Sequence, residues 1–461
     1  MHCKGQIASL SPNPQDLNSY IFVAAKRYTI MKNLETITEK HGNAMANKVK
    51  IASELYDKHF GGKEEDKVIA VAPGRVNLIG EHTDYTGGFV LPFAIDYACV
   101  VYGTGSMKQI DESEGSSTIS LDFVSSQYPE SVAKFTLSSE SVPPEKSSWT
   151  TYVLGTVFQY LGDVPKSMNV TLKFSIVSDV PLGSGLSSSA SLEVSVARFF
   201  EAILGDSAFT SEEDTSTELH AKIRALRCQK AENVWCHSPC GIMDQYVSSA
   251  ASSGSLLLID CTSLEATETK MANQDDTPVL VVANSNVKHD IGGGEYPIRV
   301  KQCKTATEAL QKVNSKIQTL RNATSHDVEK AKEFMDSVSY RRARHVVTEN
   351  TRVLDAKKAL ESGDWIKVGS LMNDSHTSMR FDYEVSCDEI DLLVSIAQSF
   401  SGVYGSRLTG GGFGGCTVSF VQQDRAEALM EELKREYKAK LGKDCDCFQT
   451  QPARGAHILE V

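Results

Sequence analysis

Apolar and polar residues change their period along this chain, and the period marks the elements. From Val170 to Ile176 the apolar side chains stand at 170, 172, 174 and 176, the alternation of a strand with one buried face. After a glycine- and serine-rich stretch, Leu192, Val196, Phe199, Phe200 and Ile203 recur at helical spacing. The run Val68-Ile69-Ala70-Val71-Ala72 predicts a strand that Pro73-Gly74 breaks. Helical spacing covers Trp149 to Leu161 and Ser216 to Trp235, and Ile51, Leu55, Tyr56 and His59 suit a short amphipathic helix closed by Gly61-Gly62. Phe89-Val90-Leu91 and Cys99 to Tyr102 read as strands paired with each other, and further strands are expected at Gly254 to Asp260, Pro278 to Asn284, Val403 to Leu408 and Cys416 to Phe420. The Ser- and Glu-rich stretch from Met107 to Lys146 predicts surface loops and edge strands. From Arg299 to about Asp364 the pattern is largely helical, and Arg341-Arg342-Ala343-Arg344-His345 within it reads as a solvated helix face.

At 461 residues the chain exceeds one typical core, so two domains are expected, divided in the polar stretch Asn273 to Asp276. We take residues 51–275 as the first domain and 276–461 as the second. Residues 1–50 form an extension of unknown role: either translation starts at Met31, or the segment packs on the outside, and we expect the first thirty residues to be dispensable. A 41% hydrophobic, 23% charged composition is ordinary for a soluble protein. The net charge of -12 argues against a nucleic-acid partner, which calls for a basic surface. No apolar run approaches the roughly eighteen residues of a membrane span, and the first thirty residues lack the pattern of a secretory leader, so a cytoplasmic protein without a membrane partner is expected. The eleven cysteines are scattered and odd in number, which favours reduced thiols. Cys236 with Cys240, and Cys445 with Cys447, lack the second pair that a zinc site needs.

The densest chemistry lies in Gly74-Arg75-Val76-Asn77-Leu78-Ile79-Gly80-Glu81-His82-Thr83-Asp84-Tyr85. Glu81, His82 and Asp84 offer acceptors and a donor close together, as recognition of a polyhydroxylated molecule requires. The plainer reading is a polar turn with a salt bridge from Arg75 to Glu81 or Asp84. In Pro181-Leu182-Gly183-Ser184-Gly185-Leu186-Ser187-Ser188-Ser189-Ala190 a predicted strand hands over to a predicted helix. Free N–H groups and the positive end of the helix dipole make such a start an anion site, with Gly183 and Gly185 letting phosphates approach the backbone and Ser188 and Ser189 offering hydroxyls to phosphate or magnesium. No Gly-Lys-Ser/Thr follows, so this is not a Walker loop. The alternative is a serine N-cap after a flexible loop.

These two motifs, with Cys240-Gly241-Ile242-Met243-Asp244-Gln245 and Gly410-Gly411-Gly412-Phe413-Gly414-Gly415, stand in the order found in galactokinases, and the chain from about residue 50 onward resembles that family of GHMP small-molecule kinases. The resemblance implies a two-domain α+β fold: an N-terminal domain like part of a ribosomal protein, with a left-handed crossover at the phosphate loop, and a ferredoxin-like C-terminal domain. It implies MgATP and galactose as ligands, galactose 1-phosphate as product, and a monomer. By the same resemblance Asp244 is the catalytic aspartate, with Arg75 beside it. Glu81, His82, Asp84, Gly241 and Tyr296 are sugar contacts together with Arg75 and Asp244; Gly183, Ser184, Gly185, Leu186, Ser187, Ser188, Ser189 and Ala190 hold the nucleotide; Ser189 and Glu232 hold Mg²⁺. On its own, Asp244 reads as a helix-capping or exposed acid. Three glycines and Asp290 before Glu295 suggest a loose loop ahead of Tyr296. Two other readings from the family are an N-acetylgalactosamine kinase and a non-catalytic galactose sensor; such sensors resemble kinases that lack a Ser-Ala pair, which this chain keeps at Ser189-Ala190.

Overall fold

A computed structural model describes residues 14–61, 67–111, 116–209, 216–273, 277–288 and 295–460, the side chains of 14–33 and of Asp206 excepted. The loop with Asp290 and the three glycines, Gly62, and most of the expected boundary at 273–276 lie outside the described residues. Along the chain, helix α1 (Pro14–His59) precedes strands β1 (Val68–Asn77), β2 (Phe89–Val90), β3 (Pro92–Gln109), β4 (Ile119–Ser125) and β5 (Ala133–Leu137). Helix α2 (Trp149–Phe158) leads to β6 (Met168–Ser178), α3 (Ser188–Leu204), α4 (Thr217–Trp235), α5 (Met243–Ala250), β7 (Leu256–Asp260), β8 (Glu265–Thr269) and β9 (Val279–Lys288). Helices α6 (Glu295–Val313), α7 (Ser325–Lys330), α8 (Ser337–Ser362), α9 (Trp365–Ser378) and α10 (Asp388–Ser399) follow. The chain then forms β10 (Val403–Thr409), β11 (Gly414–Val421), α11 (Ala426–Leu441), β12 (Asp446–Thr450) and β13 (His457–Ile458).

The first sheet has the order β13-β1-β3-β6-β4-β5. Period two along β1 sends Ala70 and Ala72 to one face, against Val194, Phe199 and Phe200, and Ile69 and Val71 to the other, against Ile37, Val49 and Tyr56 of α1. So α1, whose helix is broken by non-helical backbone at Gly42 (φ 81°), packs on the sheet from Ile37 onward. Lys48 also pairs with Asp179, just ahead of the glycine- and serine-rich stretch 181–190. Helix α1 covers the amphipathic stretch expected at 51–60, but Ile51 is exposed; Ala52 and Tyr56 face the core.

The second sheet, β10-β11-β9-β12, is antiparallel throughout. Its chain order, one strand, helices, a hairpin, a helix and a strand, is the ferredoxin-like pattern. Helices α10 and α11 cover one face through Leu393, Leu429 and Leu433. On the other face Val282, Val418 and Phe420 share one core with Val76, Leu78, Phe93 and Leu186, so both sheets pack on common apolar ground. A short sheet, β2-β7-β8, lies alongside.

Three pairing expectations change. Phe89-Val90 pairs with β7, while Cys99 to Tyr102 lies in the eighteen-residue β3 between β1 and β6; no turn separates Leu91 from Cys99, so the two segments cannot fold onto each other. Within the serine-rich stretch, β5 is the expected edge strand, but β4 is interior, parallel to β6, with Ile119, Leu121 and Phe123 buried. Strand β1 also does not stop at Pro73-Gly74: it continues to Asn77 across a bulge between Pro73 and Arg75. Residues 452–459 run back over the first sheet, with Ala453 N–H donating to Ala94 (2.8 Å), Gly455 to Ala251 (2.7 Å) and Leu459 to Ile69 (2.9 Å).

Candidate active site

A bulge bends a strand and re-aims the side chain beside it, and the one in β1 turns Arg75 toward the start of α5. There Arg75 grips Asp244 with both arms, Nε to Oδ1 and Nη2 to Oδ2 at 2.8 Å each, while Nη1 donates to the Gly185 carbonyl. The plain salt bridge from Arg75 to Glu81 or Asp84 is therefore not formed; its partner is Asp244. Ser187 Oγ also donates to Asp244. Ser187 holds this position in left-handed backbone, φ 63°, a conformation that non-glycine residues keep mainly at functional sites. Arg75 is buried, but Asp244 is 29% exposed and faces a cavity of about 600 Å³.

That cavity brings together Arg75, Glu81, His82, Asp84, Gly183, Gly185, Ser187, Ser188, Ser189, Glu232, Gly241, Asp244 and Tyr296. Ser184, Leu186 and Ala190 do not line it: their side chains are buried, with Ser184 Oγ donating to Pro181 and the Leu186 carbonyl accepting from Arg75 N–H. Gly241 has a direct reason to be glycine, because a Cβ there would stand 1.8 Å from Asp84 Oδ2. Burial, and then the nearby Asp244 charge, raises Asp84 to about 6. Burial lowers His82 to about 3, so its ring is neutral at pH 7.

Glu81 lines the cavity but is largely committed elsewhere. Gly410 N–H donates to it at 2.7 Å, Arg407 Nη1 at 3.3 Å, and Asn77 Nδ2 donates as well, which leaves about one of a carboxylate's four acceptor positions open. The first motif and the last glycine loop are thereby tied together. That loop also meets the phosphate loop: a Cβ on Gly410 would stand 2.6 Å from the Gly185 carbonyl.

Behind the phosphate loop, Glu232 is buried and accepts from Gln245 Nε2 at 2.7 Å, and the Ser189 hydroxyl is within hydrogen-bonding reach. Burial and the Asp244 charge raise Glu232 to about 7. Gln245 Nε2 also reaches Glu193 at 3.1 Å, and burial with the Glu232 charge raises Glu193 as well. A cation beside Ser189 and Glu232 would offset this crowding of carboxylates, so the residues fit Mg²⁺. Among the described residues no three His, Cys, Asp or Glu side chains are arranged to hold a metal, so phosphate oxygens and water would complete its shell.

The basic stretch 341–345 is a correction. Arg342 is buried and donates to Gln302 at 2.8 Å and to Glu384 at 2.6 Å; His345 is fully buried between Ser378 (2.9 Å) and the Glu81 carbonyl (3.1 Å). Consecutive helix positions turn by about 100°, so five of them cannot share one solvated face. Sequence reasoning also missed Arg407, Glu349 and Asn350. Glu349 accepts from Gly80 N–H at 2.9 Å, Ser375 Oγ at 2.6 Å and Arg352 Nε at 2.6 Å, and Asn350 Oδ1 accepts from Phe89 N–H at 2.8 Å. Burial alone would raise Glu349, but Arg352, His345 and Arg407 pull it down to about 2. One signal was available: Arg407 is a lone cation on a strand of small and apolar residues that leads into a glycine loop.

Comparisons with known proteins bear on the family. Residues 54–104 match the galactokinase galactose-binding signature, 151–252 the GHMP kinases N terminal domain and 356–439 the GHMP kinases C terminal family. Galactokinase from Homo sapiens is 38% identical over 412 residues, which cover 88% of this chain and 96% of the relative. Galactokinase from Actinobacillus succinogenes is 39% identical over 390 residues, 84% of this chain and 93% of the relative. Among solved structures, Lactococcus lactis galactokinase complexed with galactose aligns with a TM-score of 0.76 and 28% identity, over 88% of this chain and 98% of that one. Methanococcus jannaschii mevalonate kinase shares the fold, with a TM-score of 0.54 and 16% identity over 85% of this chain and all of its own. With relatives of 36–39% identity covered almost end to end, the chain belongs to the galactokinase family of GHMP kinases.

Proposed function

We propose that the protein transfers the γ-phosphoryl group of ATP to the C1 hydroxyl of α-D-galactose, releasing galactose 1-phosphate and ADP. The observation that carries this reading is the Arg75–Asp244 pair, which stands between a sugar-type loop and a phosphate-type loop in one cavity. Membership of the family supports it. Asp244 orients the C1 hydroxyl and accepts its proton, and Arg75 holds both carboxylate oxygens so that the acid keeps one direction. His82, Asp84, Gly241 and Tyr296 meet the other hydroxyls, with Glu81 contributing its remaining acceptor position. Gly183, Gly185 and the N-terminus of α3, with Ser187 to Ser189, take the phosphates. Mg²⁺ held by Ser189 and Glu232 would neutralise charge on the transferring phosphoryl group. The cavity lies between the units we take as 51–275 and 276–461. The same reading has the protein working as a cytoplasmic monomer on free sugar and nucleotide.

An ADP-release assay across galactose, N-acetylgalactosamine, glucose and mevalonate tests the proposal, with fastest turnover expected on galactose. Faster turnover on N-acetylgalactosamine would replace the substrate, and binding of galactose and ATP without turnover would make the protein a sensor.

A further inference from the structure

Polar atoms run in single file from the core of α6 to the sugar side of the cavity. Cys303 Sγ lies 3.1 Å from the Tyr383 hydroxyl, that hydroxyl 2.6 Å from the Tyr85 hydroxyl, and the Tyr85 hydroxyl 3.1 Å from His82 Nδ1. His82 lines the cavity, and its Nε2 is buried without a hydrogen bond of ordinary geometry, with the Gly411 backbone near enough to the imidazole to favour its protonated form. Tyr383 is fully buried in a π-helical turn, Met379–Tyr383, that follows α9, a form concentrated at functional positions. Its backbone is held in place, with Arg299 Nε donating to the Tyr383 carbonyl at 2.9 Å. Burial keeps the Tyr383 hydroxyl between Cys303 and Tyr85.

The file has three protons of its own and one imidazole to satisfy. If His82 Nδ1 donated, the protons would run outward and the last would fall on a thiol sulfur, a weak acceptor, leaving the S–H itself unused. If the thiol donates, S–H meets oxygen, O–H meets oxygen, and O–H meets nitrogen, so every proton has a good acceptor. The second direction wins. Because burial keeps the ring neutral, the tautomer and not the charge is what the neighbours set.

We propose that Cys303 and Tyr383, neither of which lines the cavity, act through Tyr85 as positioning residues that fix His82 with its proton on Nε2, so that it meets the substrate as a hydrogen-bond donor to a sugar oxygen. The inference rests on the galactose reading above for the identity of the substrate, and on the geometry alone for the tautomer.

The test measures the tautomer without ligand and the sugar kinetics separately. In ¹⁵N NMR of the imidazoles, with His82 assigned by its loss in His82→Gln, the wild type is expected to show one Nε2–H form and Tyr383→Phe a mixture. In the same variant the galactose KM should rise about 5- to 30-fold, the loss expected for one hydrogen bond, with kcat within about twofold. Across a panel of monodeoxygalactoses, that rise should vanish for the sugar lacking the hydroxyl that His82 meets. Cys303→Ser should match the wild type and Cys303→Ala should shift the tautomer in the direction of Tyr383→Phe by less; this pair carries the test if Tyr383→Phe does not fold. An unchanged tautomer in both Tyr383→Phe and Cys303→Ala, or a KM that rises equally on every sugar, overturns the proposal. A wild type with a fixed Nε2–H tautomer and no galactose turnover supports the relay while removing galactose as the substrate.

Discussion

The loop we assign to the sugar and the loop we assign to the phosphates face the same cavity but are held in different ways. From Asn77 to Phe89 the first is pinned by side chains of the second half of the chain: Arg407 to Asn77, Leu78 and Glu81, Glu349 to Gly80, His345 to Glu81, and Asn350 to Phe89. From Pro181 to Ser187 the second leans on glycine and close backbone approach, its side-chain ties being short-range or to the first half of the chain, Arg75 to Gly185, Ser184 to Pro181 and Ser187 to Asp244, and Gly183 and Leu182 stay exposed. A sugar presents hydroxyls whose directions must be matched one by one, so its loop is fixed in advance by buried charge. A phosphate chain presents diffuse charge, for which a ring of N–H groups is enough. The division shows where substitutions will act on folding and where on turnover alone.

The largest expected effect breaks the pinned side. Arg407→Met leaves Glu81 and Glu349 buried without their shared cation, and breaking such a set should lower the unfolding free energy by about 3–5 kcal/mol, read from urea melts. A loss under about 1 kcal/mol would mean that the sugar loop is held no more firmly than an ordinary surface loop.

Asp244→Asn acts at the joint between the two loops. It keeps size and one acceptor oxygen but removes charge and basicity, so turnover should fall at least about 10²-fold while galactose affinity, measured by calorimetry, falls much less. Normal phosphorylation by the variant would remove Asp244 from the mechanism.

A pH series sharpens the phosphate side. Glu232 is raised to about 7 from an ordinary 4.5, so the folded, unliganded protein binds more protons than the unfolded chain between those values. The contribution of Glu232 to stability therefore falls as pH rises from about 4.5 to about 7, while buried His82 and His345, lowered to about 3 and about 4, contribute with the opposite sign up to their ordinary 6.5. Asp84, raised from 3.8 to about 6, adds a contribution of the same sign as Glu232 over its own interval. Relative to the wild type, the melting temperature of Glu232→Gln should rise with pH across the Glu232 interval, with MgATP-dependent turnover lowered; a difference that stays constant with pH would show that Glu232 does not titrate there. The smallest effect is expected at Leu182→Ser, within about 0.5 kcal/mol in the same urea melts, because an exposed side chain on a backbone-shaped loop has little packing to lose.

The contrast also explains what could be read from the sequence. The phosphate loop was legible because its signals are local: alternation ending at Ile176, glycines, serines, then helical spacing from Leu192, and the structure places Ser187 to Ser189 at the start of α3 on the cavity wall. The chemistry of the sugar loop was legible from Glu81, His82 and Asp84, but its support was not. Arg407, Glu349 and Asn350 lie more than 250 positions away, and no local period records such a contact. Arg342 and His345 were misread for the same reason, since charge on a helix looks solvated until its partners, Glu384 and the Glu81 carbonyl, are known. The swap of partners at Phe89-Val90 is likewise a non-local fact, fixed by β7 more than 160 positions on.

The return of residues 452–459 over the first sheet bears on inheritance. Strand β1 takes its outer neighbour from the far end of the second half, and Gly455 lies so close to Ala251 that a Cβ would stand 2.8 Å from its backbone nitrogen. The halves are thus not interchangeable cassettes: recombination near residue 276 would give a hybrid whose first sheet is completed by a foreign segment, fitted to another parent's β1, Ser248 and Ala251. Backbone pairing would tolerate the exchange, but the glycine-close packing would not. The cost of a cut at the joint is thus set at the far end of the chain, by a contact that the joint itself never touches.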